Sequence, residues 1–228
     1  MTAPKSDQPI WMRPERAAVG RPAQRSRAEI TAIAIAIADA GGLAAVSMRR
    51  VASALGTGAA SLYRYVETRE DLLDLMADSA GAEQPLAAPS GDWLADLIAV
   101  GERTRAIMRR HRWLAGLIMT RPMLGPHGVA AIEHVLEILA DYPADVSAKL
   151  EAFAMLTSIT AAFVQHEIAG GLAVQQRNTA YLIHAVTSGA HPRLGELLAE
   201  GAPPADPADP ADRYPDILRK VLTGLLEP

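Results

Sequence analysis

The sequence predicts an all-α chain in two parts, a small three-helix unit at the N-terminus and a larger helical body. Three observations predict it. Apolar residues make up 50% of the 228 residues while aromatics make up only 4%, with alanine and leucine dominant. That composition favours helices over strands. Apolar residues recur at the i, i+3, i+4 and i+7 positions of an amphipathic helix in one segment after another. No stretch alternates apolar with polar residues as a half-buried strand does, and no repeat of about 20–50 residues suggests a solenoid.

Residues 1–23 carry Pro4, Pro9, Pro14 and Pro22 and have no apolar period, so they are expected to form a disordered basic arm. Residues 24–41 follow as a helix, with Ile30, Ile33, Ala34 and Ile37 on one face and Gly41-Gly42 to end it. Ser47 is a plausible N-cap for a second, short helix that holds Met48, Val51, Ala52 and Leu55. Gly56-Thr57-Gly58 breaks that helix, and a third covers roughly 59–66 with Leu62 and Val66 on its inner face. Thr68-Arg69-Glu70-Asp71 reads as a capping box for a fourth helix through Met76. The first domain is drawn over 24–80. Residues 81–91, GAEQPLAAPSG, then read as a linker or corner. The second domain is drawn over 92–228. Its expected helices lie at about 92–111, 112–119, 128–141, 144–169, 174–188, 193–200 and 213–226. The low-complexity stretch at 201–212 is expected to be an exposed loop.

Two short helices joined by a glycine-containing turn and braced on each side form a helix-turn-helix, here over 47–66. The second helix of such a pair enters the major groove of double-stranded DNA, so its outward residues meet base edges. In this chain they are Ala59, Ala60, Ser61 and Arg64, with Tyr63 and Tyr65 close by. Alanine can contact a thymine methyl, serine can bond either base type, and tyrosine hydroxyls suit phosphates. The charge distribution agrees. Residues 1–66 hold nine cations against four acids, a balance of +5, and with a chain total of −4 the remainder carries −9. A basic front on an acidic body suits a polyanionic partner, although a solvated arm would give the same asymmetry. In the arm, Arg21, Arg25 and Arg27 are candidates for minor-groove or phosphate contacts. The other reading makes them part of a solvated linker.

The segment SMRRVASALGTGAASLYRYVETREDLLDLM resembles the DNA-binding domain of the tetracycline-repressor (TetR) family. The resemblance rests on the Gly42-Leu43 corner, Arg49-Arg50-Val51-Ala52, Gly56, Ser61-Leu62-Tyr63, Tyr65 and the run Glu70 to Leu73. It implies that Arg49 reaches DNA, with Arg50 beside it, and that Ala59, Ala60 and Ser61 face bases. It also implies that Tyr63 and Tyr65 hold phosphates, with Arg69 standing where the family commonly has a phosphate-binding lysine. The family's serine-lysine pair at the start of the recognition helix is replaced here by Gly58-Ala59, which removes a cap and a cation. Direct readout then falls more heavily on Arg49, Arg50, Arg64 or the arm.

The resemblance further implies a variable helical body that binds a small-molecule effector and forms a homodimer. The dimer candidates are the helices at about 144–169 and 213–226, bearing Leu150, Phe153, Leu156, Ile159, Phe163, Leu218, Val221 and Leu225. The same residues could instead fill a monomer core. The pocket candidates are Met108, Trp113, Leu117, Thr120, Met123, His127, His134, Phe153, Thr157 and Phe163, with His166 or Glu167 as a polar anchor. Such residues also make ordinary core. The body is similar to the tetracycline-repressor branch, but the histidine that holds the metal–drug complex there falls at or beside Leu117. Tetracycline–magnesium recognition is therefore not expected, and the pocket should be largely apolar.

Several classes are excluded or disfavoured. With no cysteine, disulfides and thiolate metal sites are impossible. His127 and His134 share a helical face, yet no third ligand clusters with them, so no metal is assigned. No G-x-S-x-G, H-E-x-x-H or P-loop occurs, so the chain is not read as an enzyme and no cofactor is implied. No signal peptide or uncharged apolar run of about 18 residues is present, and a cytoplasmic protein without a membrane partner is expected. The functional expectation is a DNA-binding transcriptional repressor released by a small, largely apolar ligand. A ligand-independent architectural DNA binder and a transcriptional activator stand as alternatives.

Overall fold

The computed structural model describes residues 8–15, 25–121, 124–169, 172–199 and 213–226. Among them are eleven α-helices and no strand. Helix α1 (Arg27–Gly41) starts at Ser26, whose hydroxyl accepts from the Glu29 N–H, and stops at Gly42, where φ is 75°. That left-handed turn suits a residue without a Cβ. Helix α2 (Met48–Ala54) is capped by Ser47, which accepts from the Arg50 N–H. Gly56, at φ 65°, turns the chain into α3 (Ala59–Leu62). Helix α4 (Arg69–Gly81) carries the full reciprocal capping box between Thr68 and Asp71.

The body comprises α5 (Trp93–Arg110), α6 (Arg112–Thr120), α7 (Pro126–Ile138), α8 (Val146–Ala169), α9 (Leu172–Thr187), α10 (Pro192–Ala199) and α11 (Tyr214–Leu226). Helix α7 begins two residues earlier than the apolar period suggests because Pro126 takes its first turn, where a missing N–H costs nothing. Helix α3 is shorter than the expected 59–66. Val66 N–H closes on the Leu62 carbonyl, and the chain turns there to reach the Thr68 cap while keeping Val66 buried.

Two apolar clusters hold the chain together. The first joins Ile30, Ala34, Val51, Leu62, Val66, Leu72 and Met76 to Met108, Leu114, Leu117 and Val164. The small unit and the body therefore share a core across the corner drawn at 81–91. The second packs Leu97, Val135, Leu139 and Leu156 with Tyr214, Leu218, Leu222 and Leu226 of α11. Leu156 and Leu218, expected at a dimer interface, thus serve the protomer's own core, while Leu150 and Met155 of α8 stay exposed. Helix α8 is long and apolar enough by composition to cross a membrane, and it packs against α5, α6, α7 and α11. Helices α9 and α10 pack on one another, with Tyr181, Ile183 and Leu197 exposed.

The expectation of an unstructured arm over 1–23 is corrected for residues 8–15. A 3-10 turn, Ile10–Met12, buries Ile10 to 1% exposure in the first cluster. The reason is non-local. Arg27 donates to the carbonyls of Ile10, Arg13 and Pro14 at 2.9–3.1 Å, and Arg13 pairs with Glu67 and Asp71. Residues 1–7 and 16–23, with Arg21, lie outside the described residues, as does the expected loop at 201–212.

Candidate nucleic-acid interface and effector cavity

The outward side of α2 and α3 is built from short side chains and three cations. Arg49, Arg50 and Arg64 are exposed, Ala60 is exposed, Ser61 is half-buried and Tyr63 is 49% exposed. Met48 is buried, as its spacing indicated. Ala59 is drawn inward and packs on the first cluster, so its methyl is shared between core and surface. Tyr65 is also half-buried on that cluster. Its carbonyl accepts from Arg27 Nε at 3.0 Å, which pins the turn that follows α3. Helix α3 has no side-chain N-cap because Gly58 occupies the capping position. Arg69 leans back, donating to the carbonyls of Leu43 at 3.2 Å and Val46 at 3.4 Å. It braces the corner before α2. Arg25 is engaged with Glu29 and the Leu55 carbonyl, and Arg27 with the N-terminal turn. Both arginines are therefore structural braces for the head.

A cavity of about 480 Å³ opens between α4 and the body. Its wall draws on Ala77, Asp78 and Gly81 of α4, Thr104, Ile107 and Met108 of α5, and Leu114 and Ile118 of α6. The opposite side is formed by Leu124 and His127 around the start of α7 and by Phe153 and Thr157 of α8. Of the predicted pocket residues, the structure brings together Met108, His127, Phe153 and Thr157. Asp78 organises one rim, accepting from the N–H groups of His127 (2.9 Å) and Gly128 (3.2 Å) and facing His127 Nδ1 at 2.8 Å. Arg121 at the same rim is paired with Asp74 at 2.8 Å. Trp11 reaches this wall too, since a Cβ on Gly125 would come within 2.7 Å of its Cζ2.

The remaining predicted pocket residues are elsewhere. Trp113, Leu117 and Thr120 line a separate hollow between α1 and α6, on the other side of α6. His134 is buried on α7, 3.8 Å from Glu137. Phe163 stacks edge-on against Tyr214 at 5.3 Å. His166 is exposed. Glu167 is bound by Arg105 Nε (3.0 Å) and Arg109 Nε (2.7 Å). Burial opposes its charge, but the hydrogen bonds and charges of the two arginines outweigh burial and hold its pKa below the ordinary value. It is a structural carboxylate. Met123 lies outside the described residues. The reading of the sequence missed Asp78, Gly81, Gln84, Ile118 and Arg121 as wall residues, and no local motif marks them. No group of three metal-binding side chains is found among the described residues.

Comparisons with known proteins agree with this architecture. Residues 84–227 match the family described as Tetracyclin repressor-like, C-terminal domain. Residues 30–76 match the family described as Bacterial regulatory proteins, tetR family. The chain is 47% identical over 108 residues to the HTH-type transcriptional repressor DrrR1 of Streptomyces coeruleorubidus, covering 46% of this chain and 40% of that protein. It is 36% identical over 132 residues to an HTH-type transcriptional regulator of Saccharopolyspora erythraea, covering 58% of this chain and 56% of that protein. These matches span about half the length of either relative. Among solved structures, ActR of Streptomyces coelicolor in complex with (S)-DNPA superposes with a TM-score of 0.76 at 30% identity, covering 90% of this chain and 98% of that one. The same protein in complex with actinorhodin gives a TM-score of 0.76 at 28% identity, again over 90% and 98% of the two chains.

Proposed function

The chain belongs to the tetR family of bacterial regulatory proteins, and from that premise we propose that it is a cytoplasmic repressor released from its operator by a small, largely apolar effector. The observation that carries this reading is the double role of α4. Its first turn, capped by Thr68, follows directly on the reading head, and its last turn supplies Ala77, Asp78 and Gly81 to the cavity wall. A ligand that favours one position of α4 therefore favours one position of the head. Release then requires only that the ligand bind the DNA-incompetent arrangement more tightly.

Two heads are needed, because one covers a half-site and the pair must be spaced by about 34–36 Å. A homodimer through α8 and α11 is supported by exposed Leu150 and Met155 and half-buried Ile217, Val221 and Leu225. On the head, Arg49, Arg50, Arg64 and Tyr63 are the side chains free to meet phosphates and bases. Arg69 and Tyr65 act by bracing the head. The ActR complexes make actinorhodin and (S)-DNPA the first molecules to try.

The test is fluorescence anisotropy on DNA from the chain's own promoter region. Arg49→Ala and Tyr63→Phe should weaken binding while sedimentation still shows the dimer. A cavity-filling ligand should release the wild type. Unchanged DNA affinity in both variants would overturn the assignment of the head. DNA binding indifferent to every ligand that enters the cavity would overturn the effector role.

A further inference from the structure

Gln84 stands in the wall of the effector cavity, just after α4. Its main-chain N–H is held by the Gly81 carbonyl at 3.0 Å, which fixes the residue in a turn. Both the Oε1 and the Nε2 of the carboxamide are shielded from solvent, and neither meets a hydrogen-bond partner in the protein. Buried amides are nearly always paired, and leaving both ends unmet is costly. Three other polar groups of this wall are engaged. Thr104 donates to the Val100 carbonyl (2.9 Å) and Thr157 to the Phe153 carbonyl (3.0 Å), while Asp78 serves His127 and Gly128. Arg121 is held by Asp74 at 2.8 Å.

We propose that the effector is a mostly apolar molecule bearing a hydrogen-bond donor and an acceptor side by side, as on an amide, lactam or hydroxy-carbonyl edge, and that the Gln84 carboxamide, shielded when the cavity is empty, rotates into it to read that edge. This rests on the cavity being the effector site. The apolar residues Ile107, Met108, Leu114, Ile118 and Phe153 receive the body of the ligand. The carboxamide of Gln84 offers one acceptor and one donor, so it pairs completely only with a group that offers the complement. A ligand of the same shape lacking either atom leaves part of the amide buried and unmet. Discrimination of this kind is much steeper than that given by one methyl in an apolar pocket.

The experiment uses two isosteric probes, 2-naphthamide and 2-acetylnaphthalene, which differ by an NH₂ in place of a CH₃. Calorimetric titration of the full-length protein with each is compared for the wild type and Gln84→Met, a variant of nearly the same volume. The wild type should prefer the amide by about tenfold or more, and Gln84→Met should bind the two equally. Gln84→Met should also melt at or above the wild-type temperature, because it removes an unmet buried amide. Equal affinities in the wild type would overturn the proposal, as would a preference that survives in Gln84→Met, which would place the reading of the amide on another group. If neither probe binds the wild type at millimolar concentration, the cavity fails as a small-molecule site and the role of Gln84 falls with it.

Discussion

The Nδ1 of His111 lies 2.8 Å from Oδ1 of Asp39, joining the corner between α5 and α6 to the last turn of α1. The other ring nitrogen faces Glu83 Oε1 at 2.9 Å, and Asp39 Oδ1 also accepts from Trp113 Nε1 at 2.7 Å. An imidazole that meets a carboxylate at each nitrogen donates from both only when protonated. Burial disfavours that charge, but the hydrogen bonds and charges of Asp39 and Glu83 outweigh burial and raise the pKa above 6.5. A raised folded-state pKa stabilises the fold fully below the unfolded value and ceases to do so as pH rises through the folded one. Denaturant midpoints measured from about pH 5.5 to 8.5 should therefore fall with rising pH in the wild type, beyond the trend left in His111→Gln. Parallel pH profiles for the two proteins would refute this.

The docked N-terminal turn predicts a stability cost at a segment outside the α-helices. Ile10→Ala should destabilise by about 2–4 kcal/mol in urea unfolding, as for a buried aliphatic side chain elsewhere. Arg27→Met should free the segment, exposing residues 8–15 to protease and loosening the turn at Tyr65. A cost below about 0.5 kcal/mol for Ile10→Ala would mean that the segment does not pack as described.

Two glycines on facing helices should respond oppositely to alanine. A Cβ on Gly101 of α5 would overlap Leu218 Cδ2 and come within 2.6 Å of the Tyr214 hydroxyl. Gly101→Ala should lower stability by about 1–3 kcal/mol through overpacking. A Cβ on Gly224 of α11 meets nothing within 4 Å. Gly224→Ala should raise stability by up to about 1 kcal/mol through helix propensity alone. Calorimetric melting of both variants reads the contrast directly.

Tyr214 is fully buried, with its hydroxyl 2.6 Å from Thr160 Oγ1 and Arg105 4.7 Å over its ring. Burial pushes its pKa up to about 12. In an ultraviolet alkaline titration, one of the five tyrosines should resist ionisation until about pH 12 or until the fold opens. Tyr214→Phe should abolish that late step and cost about 1 kcal/mol, since Thr160 keeps its bond to the Leu156 carbonyl.

The reading head was legible because its signals are local. Ser47, Thr68 and Asp71 cap as their spacing says, Gly56 turns where a positive φ is needed, and Met48, Val51 and Leu62 are buried. The docked turn was not legible, because Ile10 and Trp11 are isolated apolar residues between prolines and their burial depends on Arg27 and α4. The cavity was half legible. Met108, Phe153 and Thr157 lie on helices with clear apolar faces, whereas Gly81 and Gln84 belong to a stretch whose composition reads as a corner. Trp113 and Leu117 occupy the opposite side of α6, and helical period alone does not say which side of a doubly buried helix borders a void.

Ala60 is exposed at the start of a recognition helix whose neighbours already hold the core. A side chain that ends at Cβ and faces away from the interior can be lengthened without disturbing what lies beneath it. On the proposed reading of the head, the choice of operator and the stability of the fold are uncoupled at that position. On that reading, a lineage of such proteins changes which genes it governs one outward substitution at a time, while the proposed effector cavity stays as it is.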